Sequence, residues 1–184
     1  MRERRKSTKL SIAGSLLLAH PAMKDPNFWR SVVLMSAHST EGAMGVVMNR
    51  PVGKRLGELN GEFALSPLAA VPVFTGGPVH PEQLLLVAWQ DREDGFQLHF
   101  GIEPEKAGQL LGEGGTQLRA YLGYSGWSAG QLENELKHNT WVVAEIPGDF
   151  LVQPHDNRLW QKVLGSLGEE WQLLAGEPED PTRN

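Results

Sequence analysis

Residues 117–138 read QLRAYLGYSGWSAGQLENELKH, and this stretch joins an apolar run to the clearest helix pattern in the chain. The run Gln117–Tyr124 is typical of a buried β-strand. Ser128–His138 has helical spacing, and within it Ser128 and Gln131 have the Ser-x-x-Gln spacing of a capping box. The stretch therefore predicts a strand, a glycine-rich turn and a helix with Ser128 as its N-cap.

Outside this stretch, predicted strands outnumber predicted helices. Apolar runs predict strands at Leu10–Ala19, Ser31–Ala37, Gly42–Asn49, Val71–Thr75, Leu84–Trp89, Phe96–Phe100 and Thr140–Ile146. Helices are predicted at Glu103–Leu111 and at residues 157–167, with one helical turn capped by Asp25 and a loop over residues 55–68 that could hold one helical turn. Strands and helices do not alternate regularly, which favours an α+β fold with a mixed sheet over a doubly wound α/β fold.

The composition sets the domain organisation. With 184 residues the chain is long enough for one domain, which we assign to residues 10–175. Residues 1–9 form a basic N-terminal arm, predicted to be flexible, and residues 176–184 form a polar tail, predicted to be disordered. There is no cysteine, so disulfides, thiolate nucleophiles and thiolate metal sites are excluded. Glycine and proline, at 21 and 12 residues, predict many turns.

Charge argues against direct nucleic-acid binding by the domain. The arm is basic, whereas the remaining chain carries more acids than bases, and phosphate binding requires clustered lysine and arginine. A weak DNA contact through the arm remains an alternative. Leu10–Ala19 after the arm imitates a signal peptide, but Ser11, Gly14 and Ser15 interrupt it. No apolar run approaches the roughly 18 residues of a membrane span, so we expect a cytoplasmic protein without a membrane partner.

One motif suggests catalysis. Residues 126–130 match the Gly-x-Ser-x-Gly nucleophile elbow between a predicted strand and a predicted helix. Ser128, Asp149 and His155 follow the chain order of a hydrolase triad. Against this, the capping box already gives Ser128 a structural role, and short Gly/Ser patterns arise by chance in a glycine-rich chain. A serine hydrolase is therefore kept as an alternative.

Metal and cofactor signals are absent from the sequence. The histidines, His20, His38, His80, His99, His138 and His155, show no metal-binding spacing, and no phosphate-binding loop motif is present. We predict no metal and no cofactor.

Two turns are the candidate binding elements. Asn49-Arg50-Pro51 follows a predicted strand, and the Arg50 guanidinium suits a carboxylate or phosphate. Gly76-Gly77-Pro78 closes another strand and could form a backbone anion nest, although a plain tight turn is the simpler interpretation. Tyr121, Tyr124 and Trp127 could form an aromatic patch for a partner, although a place in the core is the preferred interpretation.

Four sequence blocks then occur in a specific order. They are Ala19-His20-Pro21-Ala22-Met23-x-Asp25-Pro26-x-Phe28, Gly42-Ala43-Met44-Gly45-x-x-x-Asn49-Arg50-Pro51, Val73-Phe74-x-Gly76-Gly77-Pro78-Val79 and Leu122-Gly123-Tyr124-x-Gly126-Trp127-x-x-Gly130-Gln131-Leu132-Glu133-x-Glu135. This succession resembles the bacterial YqgE/AlgH family over roughly residues 14–175. The resemblance implies a single α+β domain with a bent, bifurcated, partly barrel-like mixed sheet flanked by helices.

The resemblance implies less about function. A transcription-regulatory role is attached to the family's name without a recognisable DNA-binding motif, so we expect any such role to be indirect, through a protein or small-molecule partner. The family motif tolerates several residue types at the position of Ser128, including acidic ones, which weakens the hydrolase alternative. His20 departs from the small or apolar residue usual in the family, so a shared site cannot depend on it.

The sequence thus predicts a non-catalytic binding or regulatory protein whose ligand and oligomeric state are left open. The predicted binding residues are Asn49, Arg50, Pro51, Gly76, Gly77 and Pro78, with Tyr124, Trp127 and Gln131 expected nearby. This prediction requires the two turns to meet in space.

Overall fold

A computed structural model describes residues 11–178. The strands in this range are β1 (Leu16–Ala19), β2 (Val32–Ser39), β3 (Gly42–Val47), β4 (Pro51–Arg55), β5 (Pro72–Thr75), β6 (Val79–Arg92), β7 (Gly95–Phe100), β8 (Thr116–Ser128) and β9 (Trp141–Ala144). The helices are α1 (Leu56–Leu59), α2 (Pro104–Gly112), α3 (Gln131–Lys137), α4 (Asn157–Gly165) and α5 (Glu169–Ala175), with short 3₁₀ helices at Gly61–Phe63 and Phe150–Val152. The predicted basic arm, and the predicted tail beyond Pro178, lie outside the described residues.

Strand β8 organises the sheet. Its first half lies between β5, in parallel, and β6, antiparallel, with Phe74 opposite Tyr121. Its last residues pair instead with β3, where Gly42 lies opposite Ser128. The strand order is β4-β5-β8-β3-β2-β1-β9, and the β6–β7 hairpin pairs with the other side of β8. Because β8 exchanges β5 for β3, the sheet divides at this point and curls into a half barrel, as expected for the predicted α+β class.

Three apolar clusters hold the helices on the sheet. Alternation along β1 sends Leu16 and Leu18 into one cluster and Leu17 into another, because successive strand side chains point to opposite faces. The first cluster packs α4, whose Trp160 is buried and donates its indole N–H to the Ala19 carbonyl at 2.8 Å. The second packs α2, and the third packs α3. The layers form one α+β domain, as predicted.

Each predicted strand has a counterpart in the structure, but two of the observed strands extend beyond the predicted bounds. Strand β6 extends to both sides of the predicted Leu84–Trp89, and β8 continues to Ser128, because its last residues pair with β3. The prediction that Ser128 is a helix N-cap is therefore wrong: Gly130, with φ of 78°, precedes α3. One half of the capping-box pattern survives, since the Ser128 N–H donates to the Gln131 side chain at 3.1 Å.

Two elements carry no clear sequence signal. Strand β4 is mostly exposed, polar and glycine-containing, and it pairs irregularly with β5, with Pro51 opposite Phe74, Arg55 opposite Pro72 and a register shift between them. Helix α5 is short and largely exposed. Within residues 11–178, no helix is both long and apolar enough to cross a membrane.

Candidate functional site

A cavity of about 700 Å³ lies where the sheet divides. It is lined by Pro26, Asn27, Val47, Arg50, Pro51, Thr75, Gly77, Pro78, Pro81 and Asn157. These residues come from the loop before β2, the end of β3, the start of β4, the end of β5 and the segment after it, the start of β6 and the start of α4. We call this space the Arg50 cavity.

Backbone hydrogen bonds bring the two predicted turns together. The Thr75 N–H donates to the Arg50 carbonyl at 2.8 Å, and the Val47 N–H donates to the Gly76 carbonyl at 2.8 Å. The start of β4 and the end of β5 are thereby tied to the end of β3. Arg50 and Pro51 thus face the same cavity as Gly77 and Pro78.

Arg50 is a half-buried cation that has no acidic partner among residues 11–178. Its Nη2 donates a hydrogen bond to the Trp29 carbonyl. Among residues 11–178, no carboxylate lies within the 4.0 Å limit of an ion pair with Arg50. Burial lowers the pKa of Arg50, because removing the guanidinium from water disfavours its charged form. The remaining guanidinium donors are free to meet an anion that enters the cavity.

Asn49 has a structural position beside this group. Its side chain is fully buried, with Oδ1 accepting from the Val32 N–H at 3.0 Å and Nδ2 donating to the Arg30 carbonyl at 2.9 Å. Both amide partners are therefore protein backbone. Asn49 joins β2 to the loop before it and fixes the chain that leads into Arg50, rather than facing a ligand.

Replacing Asn49 by alanine is expected to destabilise the fold by about 2 kcal/mol, because the Val32 N–H and Arg30 carbonyl lose their buried partners. Urea unfolding measures this free energy. Asn134→Ala is the matched control, since Asn134 is exposed on α3 and a surface change costs less than about 0.5 kcal/mol. Equal losses in the two variants would contradict the role assigned to Asn49.

The Gly76-Gly77-Pro78 segment packs directly on β8. A Cβ built on Gly77 would stand 2.3 Å from the backbone carbon and oxygen of Tyr124. The Gly76 N–H donates to the Leu122 carbonyl at 2.8 Å, so this N–H is not available to the anion nest considered from the sequence. The glycines therefore serve close backbone approach, and that approach places Pro78 in the cavity wall.

The remaining predicted binding residues lie elsewhere. Trp127 and Gln131 line a separate cavity of about 170 Å³, beside α3. Tyr124 is half-buried, packs against the first core cluster and has its ring 6.1 Å from that of His80. The nine candidates thus divide between the Arg50 cavity, a second cavity and the protein interior.

The three hydrolase candidates form no charge relay within the described residues. Ser128 is exposed, and its Oγ bonds to the Gln131 side chain at 3.3 Å. His155 is buried, with Nδ1 beside the Arg119 guanidinium and Nε2 bonded to the Phe150 carbonyl at 2.7 Å. Asp149 bonds to Gln153. Within residues 11–178, no three or more histidine, aspartate or glutamate side chains are grouped so that they could hold a metal ion.

The predicted binding residues do not include six of the lining residues, which are Pro26, Asn27, Val47, Thr75, Pro81 and Asn157. The turn containing Pro26 was predicted, and Asp25 caps it through a 2.8 Å bond from the Asn27 N–H to its carboxylate. That turn signal indicates local structure only. The proximity of Asn157 depends on how α4 docks on the sheet, for which the sequence carries no local signal.

The fold places the chain in the class of single α+β domains with a divided half-barrel sheet, and in this chain Arg50 lies at the division. This description already matches the fold that the sequence blocks imply. A family model described as AlgH-like (DUF179) matches residues 16–172, and the chain belongs to this family.

Relatives agree over nearly the whole chain. A UPF0301 protein of Streptomyces coelicolor is 38% identical, covering 95% of this chain and 96% of that protein. The UPF0301 protein of Chlorobium luteolum is 33% identical, covering 94% of each. The solution structure of the AlgH protein from Pseudomonas aeruginosa has a TM-score of 0.66 at 25% identity, covering 96% of this chain and 100% of that one. A crystal structure from Corynebacterium diphtheriae has a TM-score of 0.70 at 22% identity, covering 96% and 95%.

Proposed function

We propose that this protein is a non-catalytic binding protein that takes a small anionic ligand in the Arg50 cavity. The observation that carries the proposal is the half-buried Arg50 guanidinium, which has one backbone carbonyl as partner and no acidic partner among the described residues. A buried charge is costly unless it is compensated, and a ligand carboxylate or phosphate supplies that compensation.

The rest of the lining suits binding. Four prolines, Pro26, Pro51, Pro78 and Pro81, restrict the backbone of the walls, which lowers the entropy lost when a ligand binds. Asn27 and Asn157 bring amide groups to the rim, where they can orient a polar ligand. A volume of about 700 Å³ lies within the range of small-molecule sites.

The same lining argues against chemistry at this site. None of the described lining residues is an aspartate, glutamate, histidine, lysine, serine or cysteine, and the Thr75 hydroxyl therefore has no carboxylate, imidazole or amine in this lining to act as its base. General acid–base catalysis requires a group that titrates near the working pH, and a buried arginine stays protonated there. The Arg50 cavity therefore supports recognition.

A regulatory role is consistent with the way in which several chain segments together form the Arg50 cavity. They come from segments far apart in the chain, so a bound ligand would tie the loop before β2, the start of β4 and the start of α4 to each other. A ligand that binds one arrangement of these segments better than others shifts the population toward it. Any effect on transcription would then pass through a partner protein that senses this change.

Calorimetric titration with inorganic phosphate and with citrate tests the proposal. At least one of these two anions should bind the unaltered protein. We expect Arg50→Ala to lower the affinity for that anion by about 10-fold to 100-fold, because a hydrogen bond to a charged group contributes about 1.5–3 kcal/mol. The affinity of Arg50→Lys for the anion should lie between those of the unaltered protein and Arg50→Ala, since lysine keeps the positive charge but lacks the planar guanidinium.

The matched control is Arg92→Ala, which removes an exposed arginine from the β6–β7 hairpin. It should bind the anion as the unaltered protein does. Equal weakening in both arginine variants would indicate general charge attraction and would overturn the proposal, as would unchanged binding in Arg50→Ala.

A further inference from the structure

A second cavity of about 170 Å³ lies between α3 and the loop before β2. Its walls include Phe28, Trp127 and Trp141, and its charged lining residues are Asp25 and Glu135. None of the described lining residues carries a positive charge. We call this space the Glu135 cavity. Its charged lining residues are negative, whereas the charged lining residue of the Arg50 cavity is positive.

The three aromatic rings contact one another beside the cavity, Phe28 stacked with Trp127 and both of them edge-to-face with Trp141. The Phe28 ring lies 6.3 Å from Trp127 and 5.4 Å from Trp141, and the two indoles are 5.9 Å apart. Both tryptophans are largely buried, at 7% and 5% exposure. The faces of such rings carry partial negative charge and attract cations.

Glu135 places a full negative charge against these rings. Its Oε2 accepts the indole N–H groups of Trp127 and Trp141 at 2.9 and 2.8 Å, and its Oε1 accepts from Gln131 at 3.0 Å. A carboxylate offers about four acceptor positions, so one position remains after these three bonds. Among the described residues, no lysine or arginine forms an ion pair with Glu135.

Orientation of the two indoles does not by itself require a charge. A neutral glutamine oxygen could accept the same N–H groups, whereas a half-buried carboxylate without a counter-ion costs free energy. The Asp25 carboxylate, which accepts the Asn27 N–H at 2.8 Å, adds a second negative charge at the rim. Charge and ring faces together favour a positively charged occupant.

We propose that the Glu135 cavity binds a small organic cation, an alkylammonium group. The ammonium would lie against the aromatic rings and pair with Glu135. At roughly 30 Å³ per water molecule, the volume corresponds to about six non-hydrogen atoms, which fits a methylated ammonium or the end of a lysine side chain. The proposal is independent of the anion at Arg50.

The test uses tetramethylammonium as the probe and tert-butyl alcohol as a neutral control of similar shape. Titration is followed by calorimetry and by tryptophan fluorescence, because Trp127 and Trp141 line the cavity. We expect saturable tetramethylammonium binding and none of the alcohol. Equal binding of the two probes, or no binding of tetramethylammonium at millimolar concentration, would overturn the proposal.

Variants then locate the site. Glu135→Gln should weaken tetramethylammonium binding by at least about 10-fold, the size of one ion pair in a partly dry site. Glu145→Gln, a change of an exposed acid next to β9, should have no effect. If Glu135→Gln does not fold, Asp25→Asn, which keeps its capping oxygen, should still weaken binding about threefold or more. Unchanged affinity in the folded variants would contradict the assignment.

Discussion

Replacing Gly77 by alanine is expected to destabilise the protein by about 4 kcal/mol or more, enough to unfold much of a marginally stable domain. The added Cβ would stand 2.3 Å from the Tyr124 backbone and 2.5 Å from the Ser125 hydroxyl. Neither β8 nor the segment after β5 can retreat freely, since the Gly76 N–H is bonded to Leu122 and its carbonyl to Val47. A backbone clash therefore adds to the strain of a φ of 152°.

Gly168→Ala separates these two causes. Gly168 has a φ of 149°, close to that of Gly77, but a Cβ built there meets nothing within 4 Å. The Gly168→Ala substitution should therefore lower the free energy of unfolding by about 1–3 kcal/mol, from backbone strain alone. Urea unfolding of both variants measures the difference. If Gly77→Ala lost no more stability than Gly168→Ala, the close packing of this segment on β8 would be wrong.

Acidification is expected to remove about 3 kcal/mol of stability through His155 alone. Burial and the neighbouring Arg119 charge lower the pKa of His155 to about 4, outweighing the bond to the Phe150 carbonyl. Nε2 donates that bond, so Nδ1 carries the lone pair that meets the Arg119 guanidinium. A second proton would have to occupy Nδ1, directly against a cation.

The direction follows from proton binding in the two states. The unfolded chain, with a histidine pKa of about 6.5, binds the proton before the folded protein does. The contribution of His155 to the free energy of unfolding is therefore fully present above about pH 6.5 and is lost as the pH falls toward about 4. Each unit of difference between the two pKa values corresponds to about 1.4 kcal/mol. Unfolding free energies measured across this window should fall more steeply than the carboxylates alone predict.

His155→Gln should flatten the pH dependence in this window, even if its stability at neutral pH is lower. His138→Gln is the matched control, because His138 is exposed at the end of α3 and bonds to the Asn134 carbonyl there. NMR titration of the imidazole signals gives a second measurement. A His155 ring that titrates near 6.5 in the folded protein would contradict the buried neutral imidazole.

The fold was largely predictable because the strands that carry it are apolar. Leu16–Ala19 and the buried half of β2 have no polar alternative to the interior, and the sequence identified both. The end of β8 was not predictable locally. Residues 125–128 resemble a turn, and only pairing with β3 keeps them extended.

The candidate site was predictable in part, for a related reason. Arg50 and Pro78 are 28 positions apart in the sequence, and their meeting depends on the bond between Thr75 and the Arg50 carbonyl. The residue types alone did not indicate that the Asn49 side chain points into the interior or that Trp127 lines a different cavity. A local motif indicates the chemistry of a side chain, whereas strand pairing determines which neighbours it has.

An NMR titration of ¹⁵N-labelled protein with the bound anion tests most directly whether the Arg50 cavity is the binding site. We predict saturable shifts concentrated at residues 26–27, 47–51, 75–78 and 157, and their loss in Arg50→Ala. The signals of α3, which carries Glu135, should remain unchanged. Shifts scattered over exposed lysines and arginines, or centred outside these segments, would contradict anion binding in the Arg50 cavity.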